Sequence, residues 1–201
     1  MFIQVITGTV TDAAGFVRAA DRWETELRPG AKGFLGSTGG ITPEGRFIVM
    51  ARFASEADAR RNSERPEQGA WWAEMEKTVR DVSFQASVEV KPAMFGGGSD
   101  AAGFVQVMRQ SIKDAGKLAV LEADMKELEA EFHAYRPDIL GSIVAVHADG
   151  TRTDVVYFTS QAAARAGEAV PPPAELQAFF ADMGAAIAID EYLDLTEPML
   201  R

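Results

Sequence analysis

The sequence of 201 residues predicts an α+β fold that consists of two tandem copies of one unit. FIQVITGTVTDAAGF (residues 2–16) matches FVQVMRQSIKDAGKL (residues 104–118), with Phe, Gln, Val and Asp at corresponding positions. LGSTGGITPEGRFIVMARFASEADAR (35–60) matches LGSIVAVHADGTRTDVVYFTSQAAAR (140–165), and AWWAEM (70–75) matches AFFADM (178–183). An internal repeat of this length predicts two domains that share one topology.

Each copy opens with a strand that is followed by a helix. Residues 2–10 and 104–112 are rich in alternating, β-branched side chains, which is typical of strands. Asp12 and Asp114 follow at the position of a helix N-cap, where a side-chain oxygen accepts a hydrogen bond from a free backbone N–H. The helix of the second copy carries one apolar stripe with spacings of three and four residues, formed by Leu118, Leu121, Met125, Leu128 and Phe132.

A hairpin, a second helix and a final strand complete each copy. TPEG (42–45) and HADG (147–150) supply turn residues between strand-like runs. The first copy then predicts a helical region with a break near Pro66, because proline interrupts the hydrogen bonds of a helix. VSFQASVEV (82–90) and IDEYLDL (189–195) close the two copies as strands.

The resulting order, βαββαβ twice, is that of the ferredoxin-like fold. We expect domains at residues 1–95 and 102–201, joined by the glycine-rich segment PAMFGGGSDAAG (92–103). Helices cover only one face of such a sheet, and the opposite face is also apolar in both copies, for example at Val5 and Val107. Burial of apolar area stabilises a fold by about 25 cal/mol per Å². We therefore expect the two sheets to pack face to face within the chain.

Composition excludes several classes of protein. The net charge of −10 and the lack of a dense basic run argue against binding to nucleic acid or to an anionic membrane surface. The chain has no cysteine, which excludes disulfides and thiolate chemistry, and its N-terminal segment is not typical of a signal peptide. We expect a cytoplasmic protein that is a monomer or a weak homodimer.

The sequence resembles the dimeric α/β-barrel superfamily, and within it the antibiotic biosynthesis monooxygenase-like domains. The resemblance rests on FIQVITGTVTD (2–12), RFASEADARRNSERPEQGAWW (52–72) and VSFQASVEV (82–90). It covers residues 1–92 and, more weakly, 103–199. It is greatest to tandem-domain members, in which one chain supplies both halves of a dimer. The resemblance thus implies an intramolecular dimeric α/β barrel.

The resemblance also implies where a pocket lies. In this superfamily the pocket is found between the sheet and the helices of one half, lined by the first strand and the second helix. By this analogy Asn62 and Trp72 are the candidate catalytic residues. The candidate substrate-binding residues are Gln4, Ile6, Arg52 and Trp71.

Each candidate also has a structural interpretation. Trp72, Met75 and Val79 fall on one helical stripe, which is typical of core packing. Asn62 could cap or bend its helix, because asparagine is a mediocre helix former. Gln4 could bridge sheet and helix, because a buried amide needs hydrogen-bond partners.

Comparison of the copies favours a site in the N-terminal half. The second copy has Gly167, Phe179 and Phe180 where the first has Asn62 and the two tryptophans. Among these positions, hydrogen-bond donors therefore remain only in the first copy.

The resemblance favours a cofactor-independent oxygenase that acts on a small apolar aromatic molecule such as a polycyclic phenol or an anthrone. Asn62 and Arg52 are candidate donors to the anion that would form, and no general base is evident, so the substrate would have to be acidic by itself. The alternative is a non-catalytic small-molecule-binding or structural protein, in which the paired aromatic residues belong to the core.

Neither a metal nor haem is expected. His133 and His147 are the only histidines, and neither has a partner at metal-ligand spacing. Relatives that degrade haem present a histidine from the second helical region and an asparagine on the first strand. Residues 55–79 contain no histidine, and Ile6 occupies the matching strand position.

Overall fold

The computed structural model describes residues Met1–Arg201 as two compact units. Unit 1 comprises Met1–Val88 and Glu197–Arg201, and unit 2 comprises Glu89–Thr196. The elements of unit 1 are β1 (Phe2–Val10), α1 (Ala13–Arg22), β2 (Phe34–Ile41), β3 (Arg46–Phe53), α2 (Glu56–Ser63), α3 (Pro66–Met75), the first part of β4 (Val79–Met94) and β9 (Met199–Leu200). Those of unit 2 are the rest of β4, β5 (Phe104–Ile112), α4 (Ala115–Glu127), α5 (Glu129–Tyr135), β6 (Ile139–His147), β7 (Thr151–Phe158), α6 (Gln161–Glu168), α7 (Ala174–Ala186) and β8 (Ile187–Leu195).

Each unit has the predicted ferredoxin-like topology. The strand order of unit 1 is β4-β1-β3-β2-β9, and the strand order within unit 2 is β8-β5-β7-β6. In both cases the first strand of the copy lies in the middle of the sheet and pairs antiparallel with the third and fourth strands. The prediction of two tandem βαββαβ units is therefore confirmed.

The helix starts follow the predicted capping pattern. An oxygen of Asp12 accepts the Gly15 N–H at 2.9 Å, and an oxygen of Asp114 accepts the Lys117 N–H at 2.9 Å. Ser55 and Ser160 cap α2 and α6 in the same manner. Such a cap contributes about 1 kcal/mol to a helix. None of the seven α-helices has the length and apolar character needed to cross a membrane.

The helices pack on their sheet through separate apolar clusters in the two units. In unit 1 the cluster is formed by Phe16, Ala19, Phe47, Met75 and Val79. In unit 2 it is formed by Leu118, Leu121, Phe132, Leu176, Phe179, Ala186 and Ile187. The predicted stripe of α4 and α5 thus packs in the core of unit 2. On the other sheet face, Val5 and Val107 are also fully buried.

The edge of the unit 1 sheet is completed by the C-terminal residues. β9 pairs antiparallel with β2 at Thr38 and Leu200. The Ser37 N–H donates to the Arg201 carbonyl at 2.6 Å, and the Arg201 N–H donates back at 2.9 Å. Gly36 permits this approach, because a Cβ at this position would overlap the Arg201 carbonyl oxygen, and because its φ of 131° suits glycine. The C-terminal residues are therefore an integral part of unit 1.

An equivalent close approach occurs in unit 2. A Cβ at Gly141 would overlap the carbonyl oxygen of Gly97. Gly36 and Gly141 are the glycines of the repeated Leu-Gly-Ser sequence, so the repeat marks two places where a backbone segment passes close to a strand, at β2 and at β6. β4 continues to Met94, and the first three residues of the segment predicted as a linker are therefore strand. The boundary between the compact units falls inside β4, after Val88.

Candidate functional site

A cavity of about 270 Å³ lies in unit 1, between the sheet and the helices. Side chains alternate along a strand, so Gln4 and Ile6 of β1 share one face of the sheet with Val49 and Ala51 of β3. The opposite wall comes from α2 and α3. Five of the six predicted site residues line this cavity, namely Gln4, Ile6, Asn62, Trp71 and Trp72.

Aromatic rings form two walls of the cavity. On one side Trp23 contacts Phe34 with ring centroids 4.7 Å apart, and Phe34 contacts Phe53 at 5.5 Å. On the other side Trp71 and Trp72 lie 5.9 Å apart, and Trp72 contacts Phe84 at 5.2 Å. All three tryptophans of the chain therefore line one cavity.

The indole N–H groups of Trp71 and Trp72 are used within the protein. Trp71 Nε1 donates to the Ala19 carbonyl at 2.7 Å, which ties α3 to α1. Trp72 Nε1 donates to the Glu76 carboxylate at 2.7 Å. The two tryptophans thus offer apolar ring surface to the cavity. Their indole N–H groups, which the comparison of the two copies counted as donors for a ligand, are bonded to other parts of the protein.

Asn62 is held in a small hydrogen-bond network. It is 7% exposed, and its Nδ2 donates to Gln68 Oε1 at 3.3 Å. Arg65 Nη1 donates to Asn62 Oδ1 at 2.9 Å, and Trp23 Nε1 donates to Gln68 Oε1 at 2.8 Å. Gln68 Oε1 thus accepts two hydrogen bonds, and the Gln68 amide nitrogen makes none within the protein. Gln4 also lines the cavity and makes no side-chain hydrogen bond within the protein.

The structure places Arg52 away from this cavity. Successive β3 side chains point to opposite faces, so Arg52 lies on the face opposite to Ala51 and Phe53. Its Nη1 donates to Thr38 Oγ1 at 3.2 Å. Arg52 is thus not positioned as a donor to a molecule in the cavity.

Several cavity residues were missed by the sequence analysis. Trp23 and Gln68 provide a ring and an amide, and Phe34 and Phe84 complete the aromatic walls. Trp23 begins a π-helical turn, Trp23–Leu27, directly after α1. One sequence feature could have identified Trp23. The chain has only three tryptophans, and the other two, Trp71 and Trp72, were already candidates. No ionisable side chain lines the cavity, and no group of three or more His, Asp or Glu is arranged to hold a metal ion.

Unit 2 contains a larger cavity, of about 1020 Å³, on the same face of its own sheet. Phe179 and Phe180, the counterparts of the two tryptophans, line it. Asp154 lines it too, at the position that corresponds to Val49 of unit 1. Hydrogen-bonding groups are therefore present in both cavities, contrary to the asymmetry inferred from the helices alone.

Three solved structures match the chain over nearly its whole length. A candidate monooxygenase from Lactobacillus acidophilus NCFM is 10% identical with a TM-score of 0.69, and the match covers 100% of this chain and 98% of that chain. A candidate monooxygenase from Fusobacterium nucleatum is 8% identical with a TM-score of 0.75, covering 100% and 93%. An anthrone oxidase-like protein is 13% identical with a TM-score of 0.63, covering 99% and 93%.

These likenesses concern the fold. No family model matches the sequence, and no curated protein matches it either. The full-length matches to monooxygenase-like structures confirm the tandem monooxygenase-like fold that the sequence predicted.

Proposed function

We propose that this chain, which has the fold of tandem monooxygenase-like proteins, binds a small flat aromatic molecule in the unit 1 cavity and oxidises it with dioxygen without a bound cofactor. The observation that carries the proposal is the lining of that cavity. Six aromatic rings surround it, and the amides of Gln4 and Gln68 retain free donors. Ligand sites in proteins are apolar clefts with a few placed polar groups, and a volume of about 270 Å³ suits a small ligand.

The chemistry must come largely from the substrate, because no ionisable group lines the cavity. A ketone of the anthrone type loses a proton from its CH₂ group to water, and the amides of Gln4 and Gln68, which line the cavity, would donate to the resulting enolate oxygen. The enolate gives four electrons in total to O₂. The CH₂ carbon becomes a C=O group, the second oxygen atom leaves as water, and no external reductant is needed.

Binding without turnover is the second candidate function. The neutral lining favours it, because general acid–base catalysis needs a titratable group within reach of the ligand. The two candidates share the ligand class and differ in oxygen consumption.

Tryptophan fluorescence tests binding, because Trp23, Trp71 and Trp72 are the only tryptophans and all line the unit 1 cavity. We expect anthrone to quench this fluorescence saturably. Gly69 lines the cavity, and no heavy atom lies within 4 Å of the place where its Cβ would be. Gly69→Phe should therefore fill the cavity and raise the apparent Kd from the quenching titration at least 10-fold. Gly69→Ala has a short side chain, and its apparent Kd should stay within about 3-fold of the wild-type value.

Oxygen consumption, measured above the rate in buffer, separates the two candidates. Anthrone is the probe because one protein of this fold is described as anthrone oxidase-like. Oxygen consumption by the wild type that falls in Gly69→Phe supports the oxygenase. Saturable quenching of tryptophan fluorescence without oxygen consumption supports binding alone. If the wild type shows neither, both candidates fail.

A further inference from the structure

The unit 2 cavity contains buried polar atoms that lack partners within the protein. Gln110, Ser142 and Arg152 line it and are 2%, 0% and 5% exposed. The unpaired atoms are Gln110 Oε1, Ser142 Oγ and Arg152 Nε, together with Oδ1 of Asp154. Buried polar groups in folded proteins are nearly always hydrogen-bonded. Four such atoms around one cavity indicate a place built for a polar group of a ligand.

The register of the sheet brings these side chains together. Gln110 of β5 pairs directly with Arg152 of β7. Asp154 lies two residues further along β7, and side chains two residues apart point to the same face. Ser142 of β6 pairs with Val156, which is again two residues along. The four polar groups therefore form one patch across three neighbouring strands.

A chain of ion pairs orients Arg152. Its Nη1 lies 3.1 Å from Glu122 Oε1 on α4, and Lys91 Nζ lies 2.8 Å from Glu122 Oε2. Lys91 also lies 3.5 Å from Glu89. Glu122 thus holds one end of the guanidinium and leaves its Nε unpaired, which makes this group a fixed cationic donor at the cavity.

Asp154 has the properties of a proton acceptor. Burial raises the pKa of Asp154 to about 6, against the opposing effects of Arg152, the Val155 N–H and the Gln110 amide, and the Glu122 charge adds to the rise. A carboxylate with a pKa near neutrality is a stronger base than an ordinary aspartate and still gives up its proton readily. The unit 1 cavity has Val49 at this position and no comparable group.

The rest of the cavity is apolar and suits a ring system. Met108 and Ile189 contribute from the sheet, and Phe179, Phe180 and Met183 contribute from α7. Phe179 is buried in the core, whereas Phe180 is 39% exposed, so part of this wall is open to solvent. A volume of about 1020 Å³ is at the upper end of the range of small-molecule sites.

We propose that the unit 2 cavity is a second, catalytic site, which binds an enolisable aromatic ketone and in which Asp154 removes the acidic C–H proton. The C–H bond breaks, its proton goes to a carboxylate oxygen of Asp154, and the electron pair moves to the carbonyl oxygen of the ketone. Arg152 Nε and the Ser142 hydroxyl donate to the resulting enolate. Reversal returns a proton to carbon, so no oxidant or other co-reactant is required. This proposal does not depend on the function of unit 1.

Hydrogen exchange at carbon tests the proposal. Anthrone in D₂O, under nitrogen, should exchange its CH₂ hydrogens at least 100-fold faster with the wild type than in buffer, as followed by NMR. Asp154→Asn should bring the rate to within about 3-fold of buffer, because the amide cannot take the proton. The control is Asp190→Asn, the same change at an exposed carboxylate of β8 that bonds to Ser111, and it should exchange at the wild-type rate. Lack of acceleration by the wild type, or full activity of Asp154→Asn, would overturn the proposal.

The pH profile of the wild type keeps the test independent of how the variants fold. Arg152 and Glu122 are the charged groups that act on the pKa of Asp154, and Lys91 is paired with Glu122. With Asp154 as the base, the rate constant should fall about tenfold for each pH unit below about 6 and level off above it. A profile without this break would overturn the proposal. Met108→Trp, which narrows the apolar part of the cavity, should slow exchange at every pH.

Discussion

Replacement of Asp154 by asparagine should raise the free energy of unfolding at pH 7.5 by up to about 3 kcal/mol. Burial raises the pKa of Asp154 from 3.8 to about 6 in the folded protein. The folded state therefore holds this proton more tightly than the unfolded state does. The wild type loses stability as the pH rises from about 4 to about 6, and above that range it bears the full cost of a buried charge. Asparagine resembles the protonated acid and avoids this cost.

Urea unfolding at two pH values checks this expectation. The stabilisation by Asp154→Asn should be largest at pH 7.5 and should vanish below about pH 3, where the wild-type carboxyl is protonated in both states. Asp190→Asn, at an exposed position, should change the unfolding free energy by less than about 0.5 kcal/mol at either pH. A less stable Asp154→Asn at pH 7.5 would mean that the charge of Asp154 stabilises the fold. A gain in stability that accompanies a loss of proton transfer would be typical of a functional residue.

Gly36→Ala should lower the free energy of unfolding of unit 1 by roughly 2–3 kcal/mol. The added Cβ would overlap the carbonyl oxygen of Arg201, which is backbone and cannot rotate away. The φ of 131° at Gly36 adds strain for any other residue. We expect the variant to relieve the overlap by releasing β9 from β2, with loss of the hydrogen bonds between Ser37 and Arg201.

Amide hydrogen exchange followed by mass spectrometry detects such a release. Peptides that contain residues 36–41 and 197–201 should exchange faster in Gly36→Ala, while peptides from β1 should keep their protection. Gly69→Ala is the matched control. Gly69 lies in α3, and no heavy atom lies within 4 Å of the place where its Cβ would be. Alanine should stabilise this helix by about 0.5–1 kcal/mol. Unchanged exchange at residues 197–201 in Gly36→Ala would show that the edge strand tolerates a side chain.

Much of the fold could be predicted because local sequence determines it. Asp12 and Asp114 identify the helix starts, and the turn sequences at residues 42–45 and 147–150 identify the hairpins. The continuation of β4 to Met94 and the pairing of β9 could not be predicted in this way. Both depend on contacts between segments that are distant in sequence, and proline and glycine near residue 92 suggested a linker instead.

The candidate site was predictable in its position and less so in its chemistry. The positions of Gln4, Asn62 and the paired tryptophans followed from strand and helix periodicity, but which atoms remain free depends on tertiary partners such as Ala19 and Glu76. The polar patch of unit 2 did have a sequence signal. The alignment of residues 35–60 with residues 140–165 places Val49 against Asp154, a carboxylate in an otherwise apolar strand position.

The pairing of β9 with β2 has a consequence for the order of folding. Thr38 and Leu200 are partners although the whole of unit 2 lies between them in the sequence. Closing a flexible loop of that length costs on the order of 4 kcal/mol of chain entropy, which a two-residue strand cannot offset. Once unit 2 has folded, the intervening chain is compact and this cost is largely removed. We therefore expect the edge of unit 1 to close after the rest of both units and to open first.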